Sequence, residues 1–144
     1  MIEVPSAALI AERLAAEAAF CSIGTNALTQ DTLAMDRVSA RLARQLDAFH
    51  PAVLKLIAAA CEGAAAHGRW VGVCGSLASF PNATPLLVGL GVRELSVPAG
   101  AIAEVKAVAR TLDRAHCEAV AREAMRLDTG AAVRRLVAEH WPEI

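Results

Sequence analysis

The stretch Phe20-Cys21-Ser22-Ile23-Gly24-Thr25-Asn26-Ala27-Leu28-Thr29-Gln30 decides the fold. Its first five residues, Phe20–Gly24, form a short apolar run ending at glycine, which reads as a β-strand. The polar residues after Gly24 then stand where a strand opens into its loop. The same unit recurs on both sides. Strand-like runs are predicted at Ile2–Val4, Trp70–Gly75 and Glu94–Pro98, each ending at Gly or Pro or leading into a polar turn.

Helical patterns fill the spaces between these runs. Over Ser6–Ala19, Leu9, Ile10 and Leu14 share a side, with Arg13 and Glu17 on the charged one. Pro51–His67 carries Val53, Leu54, Ile57, Ala60, Cys61 and Ala64 on a continuous face; Pro51 suits the first turn and Gly68 the stop. Asn82–Leu90 predicts a shorter helix, with Asn82 as cap and Gly91 as end. After Pro98 the pattern is all helix. Asp113 can cap a segment reaching about Leu127, and Asp128 or Thr129 the last one, where Val133, Leu136 and Val137 face inward. Strand and helix thus alternate four times, with two extra helices at the end. That order predicts an α/β fold of parallel strands with crossover helices.

At 144 residues the chain is long enough for one domain, or a piece of one. Hydrophobic residues make up 56 % and charged ones 20 %, so the chain can bury a core. That much apolar content in a small chain also suggests a covered partner surface. Fourteen Lys and Arg stand against fifteen Asp and Glu, for a formal net charge of −1. No basic excess exists to neutralise a phosphate backbone, and with 3 % aromatics and no Tyr there are few stacking platforms; no nucleic-acid partner is expected. Cys21, Cys61, Cys74 and Cys117 form no C-x-x-C pair and lie at no zinc spacing with the four His. Free thiols and a cytoplasmic location are the expectation. No basic segment precedes an apolar run at the N-terminus, and no apolar stretch reaches the roughly 20 residues that span a bilayer, so no membrane partner is expected.

Chemistry in barrels and open α/β sheets gathers at the C-terminal ends of the strands. There the sequence puts Glu3, then Gly24–Gln30, then Cys74-Gly75-Ser76, then Ser96-Val97-Pro98. A carboxylate, an amide and a thiol would converge on one mouth.

The same segments resemble a known family. Ser22–Gln30 followed by Met35-Asp36-Arg37 is similar to the signature loop of the phosphoenolpyruvate–protein phosphotransferases, enzyme I of the bacterial sugar phosphotransferase system. Met1-Ile2-Glu3, His50-Pro51-Ala52-Val53-Leu54, Gly72-Val73-Cys74-Gly75 and Ala83-Thr84-Pro85-Leu86-Leu87 fall in that family's order and spacing. Pyruvate, phosphate dikinases and phosphoenolpyruvate synthases share the Gly-Thr-Asn loop, but the Ser-Ile before it and the Asp-Arg after it favour enzyme I.

This resemblance implies that residues 1–144 are one partial domain: a (β/α)₄ half of a phosphoenolpyruvate-binding (β/α)₈ barrel, with extra C-terminal helices. It implies that Cys74 is the catalytic thiol that protonates the enol carbon, a role needing a proton donor held close to that carbon. Asn26 and Arg37 would contact the substrate phosphate, the guanidinium fork in bidentate fashion. Glu3 matches one of two carboxylates that hold Mg²⁺; the second position is Ala27, whose methyl cannot coordinate. Ser76 replaces a Glu, Phe80 an acidic residue and Asp31 a Tyr. His50, His67, His116 and His140 do not match the phosphoacceptor, which belongs to the family's N-terminal part. Each matched residue also has an ordinary structural reading: Cys74 as a small buried hydrophobe, Asn26 as a turn former, Arg37 as a surface cation and Glu3 as a solvated terminal side chain.

Half a barrel leaves both sheet edges and an inner apolar face uncovered, and such edges invite pairing. A homodimer or higher oligomer is therefore predicted, with full-length enzyme I as a possible partner. The functional expectation is a fragment or truncated paralogue of a phosphotransferase that moves phosphoryl from phosphoenolpyruvate to a protein histidine in sugar uptake, inactive alone. The alternative is a non-catalytic oligomerisation or interaction protein.

Overall fold

Three short parallel strands organise the chain in its computed structural model, which describes all of residues 1–144. They are Cys21–Gly24 (β1), Val71–Cys74 (β2) and Glu94–Ser96 (β3), in the order β1-β2-β3. Cys21 pairs with Val71 and Gly24 with Cys74; Gly72 pairs with Glu94 and Cys74 with Ser96. Helices connect and cover them: Pro5–Leu9 (α1), Ala11–Glu17 (α2), Thr25–Leu33 (α3), Pro51–Ala65 (α4), Thr84–Gly89 (α5), Ile102–Ala109 (α6), Arg114–Ala124 (α7) and Gly130–His140 (α8). No helix is long and apolar enough to cross a membrane.

Most punctuation reads as expected. Pro51 opens α4, and His50 Nδ1 accepts a hydrogen bond from the Ala52 N–H. Gly68 and Gly91 follow α4 and α5 with φ of +63° and +97°, a conformation costly for other residues. Asp113 Oδ1 accepts from the His116 N–H, and Thr129, not Asp128, caps α8 through the Ala132 N–H.

Four expectations need correction. Ile2–Val4 is not a strand: Ile2 alone bridges Ile23, because Pro5 fixes φ, lacks an N–H and starts α1 at once. The helix expected over Ser6–Ala19 is broken at Ile10 and ends at Glu17. Its break lies against Gly63 of α4, where a Cβ would stand 2.6 Å from the Glu12 nitrogen. Thr25–Leu33, expected as a loop, is α3, and its Thr25, Leu28 and Thr29 are buried at helical spacing. Asn82 does not cap α5; it sits within a 3₁₀ turn, Pro81–Ala83, that runs straight into the helix.

The two faces of the sheet are unlike. Cys21, Ile23, Val71 and Val73 point into one core with the buried faces of α1, α2, α4, α5, α7 and α8. On the other side stand Glu3, Ser22, Gly24, Gly72, Cys74, Glu94 and Ser96, of which Glu3, Glu94 and Ser96 are exposed and Ser22 and Cys74 half-buried. The inner apolar face expected for a half barrel is thus mostly small and polar. Its apolar part is one aromatic pair: Phe20 and Trp70 stack with centroids 4.5 Å apart and planes 2° from parallel. The Trp70 ring lies beside Gly72, 3.4 Å from where a Cβ would stand.

Candidate functional site

The C-terminal end of β2 turns through Gly75, and only glycine fits there. Its φ is +99°, and a Cβ would meet Thr25 Oγ1 at 2.5 Å and Asn26 Oδ1 at 3.1 Å. That approach ties the start of α3 to the end of β2. The Thr25 hydroxyl donates to the Cys74 carbonyl at 2.9 Å. Asn26 Oδ1 accepts from the Ser76 N–H at 3.0 Å and from the Ser76 hydroxyl at 2.8 Å. An N–H donor fixes that atom as the amide oxygen. The amide oxygen is therefore occupied, and the two N–H donors of Asn26 are left for something else.

Asn26 lines a cavity of about 560 Å³ with Thr29, Arg37, Ser76, Phe80 and Asn82, and Ala43, Leu46, Asp47, Ala48, Phe49 and Arg134 form its far wall. Arg37 is placed by its backbone N–H, which donates to Gln30 Oε1 at 3.1 Å after α3 ends at a left-handed Ala34. Its guanidinium makes no ion pair. Arg134, by contrast, is spent on Asp47 in a bidentate pair of 2.7 and 2.8 Å, and stacks over Phe49 at 5.1 Å. Burial pushes the Asp47 carboxyl up, but the Arg134 fork and the Phe49 N–H together bring it below the usual value. Gly130 makes room for this pair, since a Cβ there would collide with the Asp47 carboxylate. The Thr29 hydroxyl, also in the lining, is buried with no partner. The cavity therefore offers one uncompensated guanidinium and one amide donor pair, a set suited to an oxyanion.

The expected site residues are brought together only in part. Asn26 and Arg37 share the cavity. Cys74 does not line it and stands two residues before Ser76 of its rim, half-buried on the bare sheet face, with Ser22 Oγ 4.0 Å from Sγ. Its position is separate from the other thiols, which are buried; burial pushes Cys61 up to about 12. Glu3 lies across Gly24 on that same face. No group of three or more His, Cys, Asp or Glu side chains comes together anywhere. Glu3 and Glu94 are the carboxylates of this face, neither belongs to a group of three metal-binding side chains, and Ala27, where the resemblance puts a second carboxylate, offers no oxygen; these residues do not fit Mg²⁺, which takes hard oxygen ligands in octahedral array.

Sequence reasoning missed the far wall. Asp47 and Arg134 are 87 positions apart and neither stands in a local pattern. It also read Ser76 only as a departure, whereas Ser76 is what orients Asn26.

Residues 1–114 match the family model described as the PEP-binding domain of PEP-utilising enzymes. The chain is 48 % identical over 139 residues to a multiphosphoryl transfer protein of Xanthomonas campestris pv. campestris, covering 96 % of this chain and 17 % of that protein. A multiphosphoryl transfer protein of Rhodobacter capsulatus is 49 % identical over 136 residues, 94 % of this chain and 16 % of its own length. The phosphoenolpyruvate-protein phosphotransferase of Listeria monocytogenes is 36 % identical over 143 residues, 99 % of this chain and 25 % of its own length. The chain thus spans a quarter or less of these relatives.

Proposed function

The chain belongs to the PEP-utilising enzymes through their PEP-binding domain, and from that premise we propose that it supplies one part of a phosphoenolpyruvate site: a C-terminal portion of a (β/α)₈ barrel, with three of its strands, without phosphoryl transfer of its own. In this reading the Asn26 amide and Arg37 hold the substrate phosphate. Cys74 gives its thiol proton to the methylene carbon of enolpyruvate, and the phosphoryl group leaves to a histidine outside this chain. One observation carries the proposal. The Asn26 oxygen is occupied by Ser76, so its donors are free in the same cavity as the unpaired Arg37. That Ala27 gives Glu3 no second oxygen ligand supports inactivity by itself, since the charge of the leaving phosphoryl group has no metal clamp. Calorimetric titration with phosphoenolpyruvate tests this. Weak heat lost in Arg37→Gln, with no pyruvate formed, is the expected result; no heat at millimolar ligand overturns it.

A second reading is self-association, favoured by the bare sheet face, where Phe20 and Trp70 remain 50 % and 39 % exposed. Two copies about a two-fold axis would bring two such sheets together. Sedimentation should show a dimer at micromolar concentration, and a stable monomer there sinks the idea. Co-sedimentation with a full-length phosphoenolpyruvate–protein phosphotransferase would instead identify that protein as the partner.

A further inference from the structure

The opposite end of the sheet carries a second concavity. It holds about 670 Å³ and lies among the turns that lead into β2 and β3, beside α7. Four arginines line it. Arg69 comes from the turn before β2, Arg93 from the turn before β3, and Arg114 and Arg122 from α7. Two carboxylates, Glu62 and Glu118, share the lining. Only Arg114 is paired, with Glu118 at 2.9 Å, while Arg69, Arg93 and Arg122 make no ion pair or side-chain hydrogen bond. The floor between these cations is apolar, and includes Ala58, Cys61, Leu90 and Met125.

Cations often stand after helix C-termini simply to answer the helix dipole. Arg69 and Arg93 do follow α4 and α5. Neither guanidinium donates to a terminal carbonyl, however; backbone N–H groups close both helix ends instead, that of Arg69 donating to the Ala64 carbonyl at 3.0 Å. The charges also do not cancel. Four Arg against two Glu leave +2 in the lining, and two helix C-termini subtract about half a charge each. A positive balance of about one remains beside an apolar floor.

We propose that this concavity is an anion site for an organic phosphate, distinct from the cavity at Asn26 and Arg37. The phosphate oxygens would take the forks of Arg69, Arg93 and Arg122, which match phosphate bidentately. The apolar body of the ligand would cover the floor. Inorganic phosphate would therefore bind more weakly than a phosphate ester carrying an apolar group.

The test is a titration of the full chain with phenyl phosphate and, separately, with inorganic phosphate, followed by amide chemical shifts. Expected are shifts confined to residues 69–71, 89–93 and 114–122, tighter binding of phenyl phosphate, and affinity that falls with added NaCl. Joint replacement of Arg69, Arg93 and Arg122 by Gln should weaken binding by about tenfold or more. All three are exposed, so the fold should survive; the single variant Arg93→Gln, with about a threefold loss, covers the case where the triple variant does not. No saturable binding, binding untouched by the replacements, or shifts confined to Asn26–Arg37 would each overturn the proposal.

Discussion

The two faces of one small sheet behave as if they belonged to different proteins. Cys21, Ile23, Val71 and Val73 are sealed beneath helices, while Ser22 and Cys74, their immediate neighbours in sequence, and Glu94 and Ser96 on β3 stand in the open or half-open. A period of two separates them. The difference shows where the apolar side chains of the strands go: into a single helix-covered layer, with Phe20 and Trp70, just before β1 and β2, left on the other side. What the open face keeps is glycine, hydroxyl, thiol and carboxylate, the composition of a surface that meets ligand or water.

The sharpest break of that comparison is one step along β1. Ile23 is fully buried, so Ile23→Ala should cost about 3–4 kcal/mol through lost transfer energy and a cavity. Against a typical total of about 5–15 kcal/mol that is a large share of the stability. Ser22→Ala, on the other face, should stay within about 0.5 kcal/mol. Urea midpoints of the two variants check this, and equal midpoints would dissolve the distinction between the faces.

Next in size is Gly75→Ala. The positive φ and the approach of Thr25 Oγ1 act together, and about 2 kcal/mol of strain should follow. The loss should be accompanied by larger amide shifts at Asn26 and Ser76 than anywhere on the helix-covered side. A Gly75→Ala variant as stable as the parent would mean that the β2–α3 contact is loose.

Asp47 comes third, and pH reports on it. Its folded carboxyl lies below its ordinary value of 3.8, because Arg134 and the Phe49 N–H outweigh burial. Its contribution is therefore complete above that value and is lost as pH falls through the folded one. Asp47→Asn should cost about 1 kcal/mol at neutral pH, a figure already reduced for the exposure of Arg134, and about 3 °C in Tm. The variant and the parent should converge in acid. An unchanged difference at pH 2–3, well inside the carboxylate range, would show that packing around Gly130 and not charge holds this wall.

Much of the fold was legible because local chemistry marks it. Pro51, Gly68, Gly91, Asp113 and Thr129 all punctuate helices where their side chains or φ angles demand it. The β1, β2 and β3 runs were found for the same reason. Ile2–Val4 is misleading because Ile2 and Val4 on either side of Glu3 give the alternation of a strand, until Pro5 is allowed to decide. α3 was misread because Thr, Asn and Gln suggest a loop, while its burial of Leu28 and Thr29 depends on neighbours far along the chain. At the site, Asn26, Arg37 and Cys74 were singled out by their motif, and the first two do share a cavity. Arg134 could not be: its partner Asp47 is 87 residues away, in a segment with neither strand nor helix.

The smallest effect belongs to Ser76, and it separates orientation from stability. Ser76 Oγ and N–H both hold the Asn26 oxygen at the edge of the open face. Ser76→Ala removes one of these two bonds and keeps the other. Because the position is exposed, stability should fall by no more than about 0.5 kcal/mol. The Asn26 side chain, held by one donor in place of two, should rotate more freely, and any phosphoenolpyruvate affinity should drop by about two- to threefold. Ser76→Thr, which restores the hydroxyl, should recover it. Titration of both variants decides the point: loss in Ala with recovery in Thr assigns Ser76 to positioning the amide, whereas equal affinity in all three leaves Asn26 held by the backbone alone.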